Sequence, residues 1–141
     1  MKMIIANNKH SEEIKKFINV ILTDIFKVEA RGLEDLDNIE KNFSIFYLLI
    51  EKDEIIGTIG LKDEGDARLV RMYINKEIRG KGYGKKMVDK IIRYCKGKHT
   101  RIFLTTYDKM NSEGFYNKVG FNTFKKEKEN GITKIWMERK L

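Results

Sequence analysis

The chain contains no proline. Its turns must therefore be made by Gly, Asn and Asp. It has one cysteine, Cys95, which rules out an internal disulfide and a multi-cysteine metal site. Such sparing use of cysteine suits the cytoplasm. The two histidines, His10 and His99, stand far apart and have no ligand-type neighbours, so capping or solvated roles are expected and no metal. Long apolar runs are missing as well. The N-terminal stretch Met1-Lys2-Met3-Ile4-Ile5-Ala6 turns polar too soon for a signal peptide or a membrane span, so no membrane partner is expected.

What is present is enough for a packed interior. The chain has 141 residues, of which 41% are hydrophobic and 11% aromatic. These numbers predict one domain, residues 1–141, around one core. Basic residues outnumber acidic ones by 29 to 21, giving a formal net charge of +8. That balance suits an anionic partner, such as a nucleotide, a polyphosphate or a nucleic acid, and it equally serves solubility.

The apolar pattern changes period along the chain. Residues 2–6 predict a strand. Ser11 is placed to cap a helix whose apolar face is Ile14, Phe17, Ile18, Ile21, Leu22 and Ile25. A weaker helix is expected over Leu33–Lys41, with Leu33, Leu36 and Ile39 inward. Phe46–Glu51 and Ile55–Leu61 read as an antiparallel hairpin around Lys52-Asp53-Glu54. Gly57 and Gly60 within it mark a close approach or a bulge. Lys62–Asp66 reads as a charged turn and Arg68–Ile74 as a strand. A helix follows with Tyr83, Met87, Val88, Ile91, Ile92 and Cys95 on one face, stopping at Gly97. Arg101–Thr106 predicts a strand and Asn111–Lys118 a short helix. Phe121–Lys128 and Ile132–Arg139 form a final hairpin through Asn130-Gly131. The expected fold is mixed α/β, with about seven strands in a largely antiparallel twisted sheet, about four helices and one internal strand–helix–strand unit.

Between the Arg68–Ile74 strand and the next helix lies Arg79-Gly80-Lys81-Gly82-Tyr83-Gly84. A strand, a glycine-rich turn and a helix start, in that order, make an anion cradle. The first N–H groups of the helix are unpaired, and its dipole favours negative charge. Glycines let a phosphate approach the backbone, and Arg79, Lys81 and Lys85 add positive charge. The segment does not fit the G-x-x-x-x-G-K-[ST] pattern. It also misses G-x-G-x-x-G, because Gly84 comes one residue early.

The surrounding residues narrow the ligand. Leu69-Val70-Arg71-Met72-Tyr73-Ile74, the glycine-rich loop, and Asn111 through Phe115-Tyr116-Asn117-Lys118-Val119-Gly120-Phe121 together resemble the GNAT superfamily of acetyl-CoA-dependent N-acetyltransferases. Arg79, Gly82 and Gly84 fall on that family's loop pattern, and Tyr116 precedes Gly120-Phe121 as its catalytic tyrosine precedes a Gly-Phe pair. The resemblance extends over nearly the whole chain. It implies transfer of an acetyl group from acetyl-CoA to a primary amine by direct attack in a ternary complex, without a metal. Backbone groups of Arg79, Gly80, Lys81, Gly82, Tyr83, Gly84 and Lys85 would hold the pyrophosphate. Met72, Tyr73 and Ile74 would lend main-chain groups to the pantetheine arm, and one of their N–H groups would polarise the thioester carbonyl. Asn111 would contact the coenzyme, and Tyr116 would be the general acid, its phenol handing a proton to the departing thiolate.

Other roles stay open at this level. Glu64 and Asp66 are the candidate general bases, beside Glu51 or a chain of waters. Arg68 stands where relatives commonly carry a Glu, and Lys76 where they often carry a proline. Cys95 and Phe115 read as core, Trp136 as core or a wall of the acceptor cleft, and Lys125–Lys128 as solvated. The acceptor, a small molecule or a peptide amine, would meet residues Val28–Asn42 and the final hairpin. The carboxylates of Glu29, Glu34, Asp35, Asp37 and Glu40 there would either attract a cationic amine or form a solvated face. The chain would act as a monomer or homodimer. Two other classes are a non-catalytic coenzyme-A-binding module and a basic nucleic-acid-binding domain. The second lacks zinc spacing, helix-turn-helix order and a stacking motif, so no nucleic acid is expected.

Overall fold

A computed structural model describes all 141 residues. The elements follow in the order β1 (Lys2–Ile5), α1 (Ser11–Phe26), α2 (Ile39–Asn42), β2 (Ile45–Glu51), β3 (Glu54–Glu64), β4 (Asp66–Ile74), α3 (Tyr83–Cys95), β5 (Arg101–Tyr107), α4 (Glu113–Lys118), β6 (Asn122–Glu129) and β7 (Ile132–Lys140). The strands form one seven-stranded sheet in the order β1-β2-β3-β4-β5-β7-β6. Every neighbouring pair is antiparallel except β4 and β5, which α3 connects in parallel. The expected mixed fold, strand number and single strand–helix–strand unit are all present. No helix is long and apolar enough to cross a membrane.

Each face of the sheet is covered because strand side chains alternate. One face packs Leu61, Leu69, Ile102, Leu104 and Met137 against Met87, Val88, Ile91 and Cys95 of α3 and Tyr116 of α4. The other packs Phe46 and Leu48 against Ile14 and Ile18 of α1, with Leu36 and Ile39 beneath. Gly57 and Gly60 make the close approaches their placement in β3 suggests. A Cβ on Gly60 would come within 2.8 Å of the Phe46 ring, and one on Gly57 within 3.1 Å of the Met87 sulfur.

Three local readings change. The Leu33–Lys41 helix is broken into a tight turn at Glu34–Asp37 and the four residues of α2. Asn38 causes the break, since its side chain accepts from Lys41 N–H at 3.1 Å and caps α2 instead of continuing a helix. Lys62–Asp66 is not a loose turn. The strands run on to Glu64 and from Asp66, with Gly65 alone at the tip at φ +93°. Ser11 is the first helical residue and makes no cap. The capping falls to Asn7, which accepts from Lys9 N–H at 2.9 Å in the turn before α1.

Candidate active site

The site begins where the sheet comes apart. β4 and β5 pair only at Ala67–Ile102 and Arg68–Phe103. Beyond Arg68 the β5-facing backbone groups of β4 have no ladder partner across the gap. The cause is a bulge in β4. Its register with β3 slips between Thr58 and Gly60, opposite Arg71, which adopts a left-handed φ of +53°. The inward phase of the strand slips with it: Ala67, Leu69, Met72 and Ile74 face α3, while Val70 and Tyr73 face α1.

A non-glycine residue in this conformation costs roughly 1–2 kcal/mol, and the surroundings hold it there. The buried Thr58 hydroxyl donates to Arg71 O at 2.8 Å. The Arg71 guanidinium donates to both Asp35 carboxylate oxygens, at 2.8 and 3.3 Å, and to Gly32 O at 2.7 Å. Lys62 Nζ closes on Asp35 at 2.9 Å. Burial alone would raise the Asp35 carboxyl, but the hydrogen bonds from Arg71 and Lys62 outweigh it and hold the group below the ordinary carboxylate range. The bulge is thereby tied to the loop that leads into α2.

The parted strands open into a cleft of about 450 Å³ lined by residues from α1, β4, the glycine-rich loop and α4. At one end lie Arg79, Gly80, Gly82, Gly84 and Lys85. Gly80 and Gly82 have φ of +80° and +86°, and a Cβ on either would meet nothing within 4 Å, so this backbone faces open space. No side chain caps α3, and the first bond of the helix is Lys86 N–H to Gly82 O at 3.2 Å. The N–H groups before it are free to receive an anion. Gly84 serves a different need: a Cβ there would lie 2.9 Å from the Phe115 ring and 3.1 Å from Ile74. Its absence lets α3 close against α4. Arg79 Nε donates to Ile74 O at 3.2 Å, pinning the loop to the end of β4. Lys81 and Tyr83 share the loop without lining the cleft.

At the other end stands Tyr116, with Met72, Tyr73, Ile74 and Asn111 on the walls. Its ring packs edge-on against Phe115 and Phe121, with centroids 5.3 and 5.8 Å away. The residue is 7% exposed, and its hydroxyl has no protein partner yet is not a sealed polar atom, so it opens onto the cleft. Burial pushes the phenol well above its ordinary pKa, and nearby Tyr73 adds to the rise. Asn111 takes a left-handed φ of +53° at the turn into α4, where the Ser112 and Thr106 hydroxyls bond at 2.9 Å.

The expected base residues lie elsewhere. Asp66 begins β4, six residues and about 20 Å of strand from Met72, and is engaged by Arg101 at 3.0 Å. Glu64 ends β3 beside Arg68, 3.8 Å away. Glu51 pairs with Glu54 at the β2–β3 hairpin. None lines the cleft. The acidic loop is also largely spent within the fold: Asp35 on Arg71 and Lys62, Asp37 on Lys15, Glu40 on Asn8 N–H. Glu29 and Glu34 are the exposed remainder. Sequence reasoning missed Ile21 and Ile25, which turn from the core face of α1 onto the cleft, and the Arg71–Asp35 tether. Arg71 set between the apolar pairs Leu69-Val70 and Met72-Tyr73, with the apolar phase slipping from Leu69 to Met72, was the available signal.

Known structures share this fold. A GNAT-family acetyltransferase from Staphylococcus aureus Mu50 is 30% identical, covering 99% of this chain and 98% of its own, with a TM-score of 0.86. An acetyltransferase from Streptococcus agalactiae 2603 is 22% identical over 99% of this chain and 98% of its own, with a TM-score of 0.82. An aminoglycoside 6'-N-acetyltransferase complexed with coenzyme A shares the fold at 15% identity, covering 99% and 97% of the two chains, with a TM-score of 0.81. No curated protein matches the chain. The acetyltransferase (GNAT) family model matches residues 13–121, and with the glycine-rich loop, the parted strands and Tyr116 all inside that span, the chain belongs to the GNAT family of acetyltransferases.

Proposed function

We propose that this protein transfers an acetyl group from acetyl-CoA to a primary amine within one domain, with the cleft between β4 and β5 as its active site. The observation that carries this reading is the placement of an uncapped helix N-terminus at one end of that cleft and an unbonded tyrosine hydroxyl at the other. The donor's pyrophosphate would lie on the free N–H groups from Gly80 to Lys85, with Arg79, Lys85 and Lys118 supplying charge. The open space over Gly80 and Gly82 fits a phosphate approaching the backbone. The pantetheine amides would extend the sheet from Met72, Tyr73 and Ile74, where β4 has lost its partner. Asn111 would meet the arm near the thioester.

The chemistry follows from those positions. The amine attacks the thioester carbon, and charge develops on the carbonyl oxygen. A β4 N–H in the parted region stabilises that oxyanion, an effect of about 3–4 kcal/mol for one preorganised donor. The C–S bond then breaks, and Tyr116 gives its proton to the departing sulfur. Burial keeps the phenol protonated well past neutral pH, as an acid must be at the moment of transfer.

The test is Tyr116→Phe. We expect turnover to fall about 100-fold or more while calorimetric acetyl-CoA binding stays within about twofold of the parent. Unchanged turnover would remove Tyr116 from the mechanism. Tight acetyl-CoA binding with no turnover on any amine in a thiol-release screen would favour a non-catalytic coenzyme-binding module.

A further inference from the structure

Charge is distributed unevenly along this chain. From Lys76 to Lys98 stand nine lysines and arginines and two acids, a net of +7, while the other 118 residues together carry +1. This segment is the glycine-rich loop and α3. The helix buries Met87, Val88, Ile91, Ile92 and Cys95 against the sheet. Its opposite side carries Lys86, Lys90 and Arg93 at i, i+4 and i+7, which form one stripe. Lys96 and Lys98 extend that stripe past the last turn. Lys90 is half-buried and the other four are exposed.

The fold makes little use of these five cations. Lys62, Arg68, Arg71 and Arg101 are held by carboxylates, whereas none of the five forms an ion pair. The nearby acids are engaged elsewhere, Asp89 with Lys85 at 2.9 Å and Asp63 with His99 at 3.6 Å. Lys86, Lys90 and Lys98 rest on the rings of Tyr83, Tyr47 and Tyr94. Like charges spaced this way destabilise a helix. The donor does not account for the far ones. α3 rises about 18 Å from Tyr83 to Cys95, and the screening length at physiological salt is about 8 Å. Arg93, Lys96 and Lys98 therefore stand about two screening lengths from the glycine-rich loop.

We infer that the outer face of α3 is a docking track for the phosphate backbone of a nucleic-acid duplex, separate from the cleft between β4 and β5. Three observations select this occupant. A lipid surface is entered by apolar side chains, and none of the large exposed apolar residues lies on α3. A protein partner needs an aromatic or aliphatic anchor in a core depleted of lysine, and this face is mostly lysine. Single strands need open rings for base stacking, and the tyrosines here lie beneath cations. A duplex backbone asks only for a row of cations, since it carries about one charge per 1.7 Å of its axis. The zinc spacing, helix-turn-helix order and stacking motif that the sequence lacks serve base reading, which phosphate contacts do not require.

The experiment is fluorescence anisotropy of labelled DNA and RNA duplexes of about 20 base pairs, from 50 to 200 mM salt. We expect a Kd of about 1–100 µM near 150 mM salt, similar for unrelated sequences, and a log–log salt slope of about −4.5 for five contacts. The Arg93→Gln, Lys96→Gln, Lys98→Gln triple variant should bind about 10-fold or more weakly, with the slope shallower by about 1 per charge removed. Its calorimetric acetyl-CoA binding should stay within about twofold of the parent, and saturating acetyl-CoA should change duplex affinity less than about threefold. Displacement of the duplex by acetyl-CoA would place it on the glycine-rich loop and overturn the inference, leaving the acetyl-transfer reading intact. A triple variant with a lower Tm and unchanged duplex affinity and slope would show that these cations serve only the helix dipole, which also overturns it. So would failure of both duplexes to bind at 50 mM salt, and capture by phosphatidylglycerol vesicles in that case would reassign the face to a lipid surface.

Discussion

Replacing Asp35 by Asn tests whether the bulge in β4 is held from outside the strand. The substitution keeps the shape but removes the charge that Arg71 and Lys62 share. Asp35 and Arg71 side chains are each 17% exposed. Breaking a fully buried pair costs roughly 3–5 kcal/mol, and an exposed one less than about 1. This pair lies between, at about 2 kcal/mol. For a chain of this length about 0.3 kcal/mol per degree of unfolding entropy converts that loss to a fall in Tm of about 7 °C. The assay is differential scanning calorimetry at pH 7 with acetyl-CoA absent, followed by turnover at saturating acetyl-CoA. Turnover should fall about 10-fold, because Arg71 sets the direction of the backbone beside Met72, while the pyrophosphate's hold on the glycine loop keeps acetyl-CoA binding within about threefold. The Asp35→Asn, Arg71→Met double variant should recover part of the Tm but not the turnover, since it removes the stranded charge without restoring the tether. The effect has a defined pH sign. The Asp35 carboxyl is depressed in the folded state, so its stabilisation is complete above its unfolded value of about 4 and disappears as pH falls through the lower folded value. A Tm unchanged within about 1 °C at pH 7, or a drop that does not begin to shrink as the pH falls below about 4, would refute the tether.

Other consequences are as direct. Gly84→Ala drives a methyl to 2.9 Å from the Phe115 ring, and we expect about 1–3 kcal/mol of destabilisation and weaker acetyl-CoA binding by calorimetry. Gly82→Ala meets no neighbour but forces φ +86° on an L side chain. It should cost roughly 1–2 kcal/mol in chemical denaturation while leaving space for the phosphates. Burial pushes the Cys95 thiol up to about 11, with nearby Lys98 only partly opposing it. A thiol reagent at pH 8 should leave the native protein unlabelled and modify one thiol per chain after denaturation, and fast native labelling would contradict the packing of α3.

The elements that sequence patterning located are those with a long period to read. α1 and α3 each bury one face over several turns, and the Asn130-Gly131 turn marks the last hairpin by residue type alone. The glycine loop was legible because its residue types follow from the needs of an uncapped helix start. What escaped depended on side chains reaching across the fold. Asn38 looked like one more polar residue in a weak helix, and only its bond to Lys41 N–H ends that reading. Asp35 looked like part of a solvated acidic run, and only the approach of Arg71 and Lys62 shows where its charge is used. Glu64 and Asp66 looked near the donor strand because they precede it in sequence. A strand carries its start and its end about 20 Å apart, so residues adjacent in sequence to Met72–Ile74 lie outside the cleft those residues line.

The two rungs that join β4 to β5 also bear on how the molecule holds together. The backbone ladder divides there into a block of β1 to β4 and a block of β5, β7 and β6. Packing against α3 and α4 also joins the two blocks. A donor whose amides bridge the gap would act as mortar between them. The amide protons of β4 beyond Arg68 that face β5, and those of β5 beyond Phe103 that face β4, should then exchange with solvent quickly in the free protein and slow together when the donor is seated. Donor binding and the mechanical unity of the sheet would thus be read from one set of protons.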